Sequence, residues 1–287
     1  MTLVHMFPGQ GSQRVGMGGE LFARFPERVA EADRVLGYSI GELCLRDPRE
    51  QLGRTEFTQP AVYVVNALSY AAARADGRPA PAAAVGHSLG EYNALEAAGV
   101  FGFAEGLRLV AARAEAMSRV TDGGMCAVIG MDEAVIRLLL RRAGLETVEV
   151  ANHNTADQTI IGGPVAKLDT AAALLKEAGA RSVRRLPVSG PFHTAHMSAA
   201  AAEFGSLLGR TPLSAPAFPV LANRTARPHS AEELATVLTE QIDHPVLWRQ
   251  SIEALLEADP DTVFEELGDS TVLTRMLRAI RTERATR

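Results

Sequence analysis

Ala82-Ala83-Ala84-Val85-Gly86-His87-Ser88-Leu89-Gly90-Glu91 begins as a short apolar run, turns through a glycine-flanked serine and enters a helix-forming segment that reaches about Ala98. Four apolar residues suit a buried strand and are too few for a helix. Gly86-His87-Ser88-Leu89-Gly90 fits G-x-S-x-G, a turn too tight for side chains two residues either side of the serine. Between strand and helix, the Ser88 hydroxyl projects above the strand end, at the positive N-terminus of the helix that follows. The Leu89 N–H then points to where a tetrahedral oxyanion would form. The spacing alone is common; the strand–turn–helix setting is what marks Ser88 as a candidate nucleophile.

Working outward, Leu3 to Phe7 reads as another buried strand, closed by the glycine-rich loop Pro8-Gly9-Gln10-Gly11-Ser12. Apolar periodicity predicts helices over about 20–36, 60–74 and 103–120, with Pro60 in a first turn, where its missing N–H costs nothing. Between Gly124 and Ser189 the rhythm changes. Strand-like segments at 125–131, 147–151, 158–161 and 181–188 alternate with helical ones at 132–143 and 165–178, giving the order βαββαβ. That is the ferredoxin-like split motif, a compact sheet with both helices on one face. Its ends emerge close together, so it suits insertion into a larger α/β domain. The expected division is 1–123 with 191–287 for the large domain and 124–190 for the inserted subdomain.

Composition narrows the function classes. The 287 residues are 47% hydrophobic and 22% charged, as in globular enzymes. A formal charge of -5 gives no footing for nucleic acid. No apolar run is long enough to span a bilayer, and no basic segment precedes Leu3 as in a signal peptide. Cys44 and Cys126, the only cysteines, lie far apart and suggest a reducing, cytoplasmic setting rather than a disulfide framework.

Among seven histidines, His193 lies in Pro191-Phe192-His193-Thr194-Ala195-His196-Met197, a loop leaving the insertion, where catalytic groups often sit. His87, next to Ser88, points its side chain away from the serine's. His193 and His196 could also form a helix-end pair or a weak metal pair, but no cysteine or carboxylate cluster accompanies them. Gln10 lies in a loop that suits an oxyanion donor, an anion nest or a plain turn. Arg113 shares a helix face with Leu109, Val110 and Met117, while Arg108, Glu115 and Arg119 lie opposite. A buried arginine needs a partner. That partner is either an internal carboxylate or a substrate carboxylate gripped by the planar guanidinium.

Phe7–Gln13, Thr58-Gln59-Pro60, Gly86–Glu91, Arg113, Asn152–Asn154, the Pro191–Met197 segment and Gln241–Trp248 together resemble the malonyl-CoA:acyl carrier protein transacylase family, in its order and over nearly the whole chain. Leu36–Ile40 and Phe57–Tyr70 look more like its stand-alone members that serve polyketide synthases. The resemblance implies a hydrolase-like α/β core with a parallel sheet and a ferredoxin-like insertion. It implies Ser88 as nucleophile, His193 as base, the N–H groups of Gln10 and Leu89 as oxyanion hole, and a backbone carbonyl near Gln241 orienting the base. Arg113 would bind the malonyl carboxylate, with Gln59 and Asn154 lining the pocket and Phe192 crowding a 2-methyl branch. Malonyl-CoA and an acyl carrier protein are the implied partners, with no bound cofactor and no metal. Carrier docking would use Arg181, Arg184, Arg185 and Arg275. Arg113-Ala114, Asn152–Asp157 and Gly268–Thr271 depart from the family's usual pattern. The rival readings are an acyl hydrolase on the same scaffold and a non-catalytic docking subunit. A lipase order, Ser…Asp…His, is not available to Asp243, which follows His193.

Overall fold

The computed structural model describes residues 2–286. The first half runs β1 (Leu3–Phe7), α1 (Gly19–Arg24), α2 (Pro26–Leu36), α3 (Ile40–Leu45), α4 (Thr55–Ala75), β2 (Ala83–Gly86), α5 (Gly90–Ala97) and α6 (Phe103–Ser118). Next come β3 (Gly123–Ile129), α7 (Glu133–Arg142), β4 (Glu149–His153), β5 (Gln158–Pro164), α8 (Val165–Glu177) and β6 (Ser182–Arg185). The chain closes with α9 (Ser198–Leu208), β7 (Val220–Leu221), α10 (Leu234–Asp243), α11 (Trp248–Ala258), β8 (Val263–Glu266) and α12 (Val272–Ala285).

Four strands in the order β7–β2–β1–β8 pair in parallel throughout. Side chains alternate across a strand, so Val4 and Met6 pack with Trp248 and Ile252 of α11 and Leu273 and Leu277 of α12. Phe7 and Ala84 join the opposite core, built on α4, α5 and α6. Helices therefore cover both faces, which is why β2 is buried throughout and reads as an apolar run without alternation. All the strand ends that carry loops of interest, after Phe7 and after Gly86, open at one edge of this sheet.

The second sheet has the order β4–β5–β3–β6 and is antiparallel. This is the arrangement expected from βαββαβ. Ile136 and Leu140 of α7 and Leu168, Ala171 and Leu175 of α8 bury one face against Cys126, Val128, Val150 and Ile161. The other face, with Met125, Ala127 and Ile160, turns toward the large core. The two ends of this unit meet: a Cβ placed on Gly123 would stand 2.7 Å from the Pro191 ring.

Two helical expectations change. The helix read over 20–36 is broken, because Pro26 disfavours helical geometry at Phe25, which takes φ -125° and ψ 56°. Pro60 lies inside α4, not in its first turn: the helix starts at Thr55, five residues earlier in the chain. The Thr58 hydroxyl ties down that start, its one hydrogen shared between the carbonyls of Leu52 at 2.6 Å and Arg54 at 2.9 Å. Among the described residues no helix is long and apolar enough to cross a membrane.

Candidate active site

The loop ends of β1 and β2 meet one face of the antiparallel sheet around a cavity of about 270 Å³. Its rim and floor include Gln10, Gln59, His87, Ser88, Leu89, Arg113, Asn154, Phe192 and His193, with Met117, Met125, Ala127 and Ile160 as apolar walls. Nearly every sequence-predicted site residue is thus brought to one place.

Ser88 has φ 53°, a left-handed conformation that a non-glycine residue adopts only under constraint. The glycines explain how the turn closes. A Cβ on Gly86 would lie 1.9 Å from the Gly90 carbonyl carbon, and one on Gly90 would lie 2.0 Å from the Phe7 oxygen. Asn223 fastens the turn from the far side, accepting the Ser88 N–H at 2.6 Å and donating to the Gly86 carbonyl at 2.6 Å. Gly9 packs beneath, with room for no side chain above the His87 carbonyl, 2.3 Å from where its Cβ would stand. Gln10 and Leu89 are thereby held beside the N-terminus of α5, on the cavity wall.

The Ser88 hydroxyl lies 2.7 Å from His193 Nε2, and His193 Nδ1 lies 2.7 Å from the Gln241 backbone oxygen. A carbonyl only accepts, so Nδ1 carries the hydrogen and Nε2 is left to accept from the serine. Burial, with the nearby Arg113 charge, lowers the His193 pKa to about 3, against the raising effect of the Gln241 carbonyl. The ring is therefore neutral at pH 7, as a base must be. His193 also has positive φ, 60°. Asp243 does not reach it; its carboxylate accepts from His244 Nδ1 at 2.7 Å.

Arg113 is 1% exposed. Its Nη1 donates to Gln59 Oε1 at 2.6 Å, and its Nη2 to Gln241 Oε1 at 2.9 Å and Ser88 Oγ at 3.1 Å. Nε has no partner, and the Tyr92 ring lies 5.5 Å from the guanidinium carbon. Every direct ligand is neutral, so the internal carboxylate considered from the sequence is not in contact. Just past the end of α6, the exposed Arg119 instead pairs with both Glu115 and Glu203.

His87 turns away from Ser88 and bonds Asn154 Oδ1 at 2.9 Å, its ring 5.6 Å from Trp248; burial lowers its pKa. Asn154 Nδ2 in turn donates to Gln158 Oε1 at 3.0 Å. His196 bonds the Thr147 carbonyl at 2.8 Å, which leaves it apart from His193. Among the described residues no group of three or more His, Cys, Asp or Glu is placed to hold a metal. Arg181 and Arg185 are exposed and paired with Asp157 and Asp169. Asn223 and the Gln241 side chain, both central here, carried no local signal: each meets Ser88 from more than a hundred residues away in sequence.

The family model described as the acyl transferase domain matches residues 4–285. The chain is 47% identical over 280 residues to the polyketide biosynthesis protein ThaF of Burkholderia thailandensis, covering 98% of this chain but 24% of that protein. It is 44% identical over 284 residues to the polyketide biosynthesis malonyl CoA-acyl carrier protein transacylase BaeC of Bacillus velezensis, covering 98% and 97% of the two chains. The crystal structure of a malonyl CoA-acyl carrier protein transacylase from Burkholderia pseudomallei superposes with a TM-score of 0.95 at 46% identity, over 99% of each chain.

Proposed function

The chain belongs to the acyl transferase domain family, and from that premise we propose that it transfers malonyl from malonyl-CoA to the phosphopantetheine thiol of an acyl carrier protein through an acyl-Ser88 intermediate. The observation that carries this reading is Arg113: a fully buried guanidinium with neutral partners only, one of them the hydroxyl of Ser88. A buried cation with unspent donors beside a nucleophile is built for a substrate that brings its own carboxylate.

In the first half-reaction His193 Nε2 takes the Ser88 proton, Ser88 Oγ attacks the thioester carbonyl, and the N–H groups of Gln10 and Leu89 stabilise the oxyanion. Collapse of the tetrahedral intermediate expels coenzyme A, which receives its proton from His193. The carrier thiol then attacks the malonyl-serine by the same route in reverse. The Gln241 carbonyl holds the imidazole and supports the imidazolium, where many hydrolases use a carboxylate. Arg113 fixes the malonyl carboxylate, with Gln59 setting the guanidinium plane and Phe192 and Asn154 shaping the chamber. The reaction needs no bound cofactor, since coenzyme A is substrate and product.

Likeness to polyketide relatives supports a place in polyketide assembly. The two buried, unpaired thiols support a reducing, cytoplasmic setting. Docking of an acidic carrier would fall to exposed arginines, with Arg184 and Arg275 free of carboxylate pairs among the described residues.

Intact-protein mass measurement tests the reading. Malonyl-CoA should add one malonyl group at Ser88, and carrier protein should then remove it as malonyl-carrier. Loss of the adduct to water without carrier product would make the protein an acyl hydrolase. No adduct on rapid sampling would make it a docking subunit.

A further inference from the structure

Arg113 raises an electrostatic question that its direct contacts leave open. Burying a cation against neutral groups alone is costly, so the guanidinium needs an opposite charge close by. One buried carboxylate stands behind the site. Glu91, in the first turn of α5, is 0% exposed and receives His229 Nε2 at 2.6 Å, Gln241 Nε2 at 2.7 Å and the Asn223 N–H at 3.1 Å. Three converging donors are what an ionised carboxylate requires.

A single side chain joins Glu91 to Arg113. The Gln241 amide gives one N–H to Glu91 and the other to the Ser88 carbonyl at 2.9 Å, while its oxygen accepts from Arg113. Its orientation follows from its neighbours, because the guanidinium only donates and the carboxylate only accepts. A direct Arg–Glu pair would be bidentate and would occupy the donors that a substrate needs. An interposed amide keeps the opposite charge near in a low-dielectric interior, where Coulomb attraction is strong, while using one guanidinium donor.

We propose that Glu91 is a positioning residue that offsets the charge of Arg113 through the Gln241 amide, leaving the guanidinium free for an incoming carboxylate. Burial draws the Arg113 pKa down, while Tyr92 and Glu91 draw it back up. The last clause of the proposal rests on the malonyl reading; the charge compensation does not.

A double-mutant cycle on the full chain, read by denaturant unfolding, tests the compensation. Glu91→Gln keeps the shape and removes the charge, and Arg113→Met removes the cation. The loss of stability from Glu91→Gln should be at least halved in the Arg113→Met background. Equal losses in both backgrounds would overturn the proposal, whatever the substrate. If Glu91→Gln alone does not fold, adding Arg113→Met should restore a cooperative unfolding transition, and a double variant that fails to fold as the single one does would overturn the proposal. If Arg113→Ala fails to separate malonyl from acetyl while the cycle shows coupling, the substrate reading fails and the compensation stands.

Discussion

The two sheets meet the same cavity in different ways. The parallel sheet presents strand ends and the loops beyond them, and from these come Ser88, Gln10 and the helix that carries Glu91. The antiparallel sheet presents a face, and from it come Met125, Ala127 and Ile160 as wall. Strand ends release backbone from the ladder and let N–H groups and sharp turns point at a ligand. A strand face offers only side chains at every second position. The difference teaches where to look for chemistry and where for selectivity: Ser88 and the Gln10 loop lie at strand ends, and apolar shape lies on the face.

The division breaks most visibly if the reacting groups prove dispensable. His193→Ala should slow Ser88 acylation roughly 10³-fold, measured by stopped-flow release of coenzyme A. Asp243→Asn should stay within about twofold, since that carboxylate serves His244 and general-base loss alone spans the larger range. A collapse in Asp243→Asn with folding intact would show that the base is oriented otherwise.

Arg113→Ala should reduce malonyl transfer roughly 10²-fold, the worth of charge-assisted hydrogen bonds to one carboxylate, and spare acetyl transfer by comparison. The malonyl-to-acetyl ratio of kcat/KM is the quantity to follow. Equal decline for both substrates would assign Arg113 to the structure of the core.

The finest contrast lies within β3. Ala127 faces the cavity and Val128 faces α7 and α8. Ala127→Val, which adds two carbons, should shift selectivity among acyl groups by at least about tenfold, the low end of what one methylene is worth in a pocket. Val128→Ala should instead cost about 2 kcal/mol of stability through a cavity and leave selectivity alone. Chemical denaturation and competition between malonyl-CoA and bulkier acyl-CoA substrates separate the two.

What was legible in the chain follows physical range. Ser88 could be found because its turn is governed by Gly86 and Gly90, within two residues. Arg113 stood out because a charge in an apolar helical stripe is a local contradiction. The βαββαβ rhythm showed the second sheet because its helices and strands switch period in order. Helix starts were harder: Pro26 and Pro60 look alike as punctuation, yet one breaks a helix and the other sits inside one. Gln241 was reached only through family resemblance. Asn223, His229 and Glu91 were not reached as a group, because a first-turn glutamate is ordinary and its partners come from the other end of the chain.

Ser88 and His193 share one further property, left-handed backbone at a residue that has a side chain. Each such position carries a cost of order 1–3 kcal/mol, and glycine would relieve it. The two residues proposed to do the chemistry are therefore also two of the least comfortable in the fold. A lineage released from acyl transfer would gain stability by letting either drift to glycine, and selection for robustness alone would push that way. Persistence of serine and histidine at these two positions, where relatives keep them, would then record continuing use without any assay.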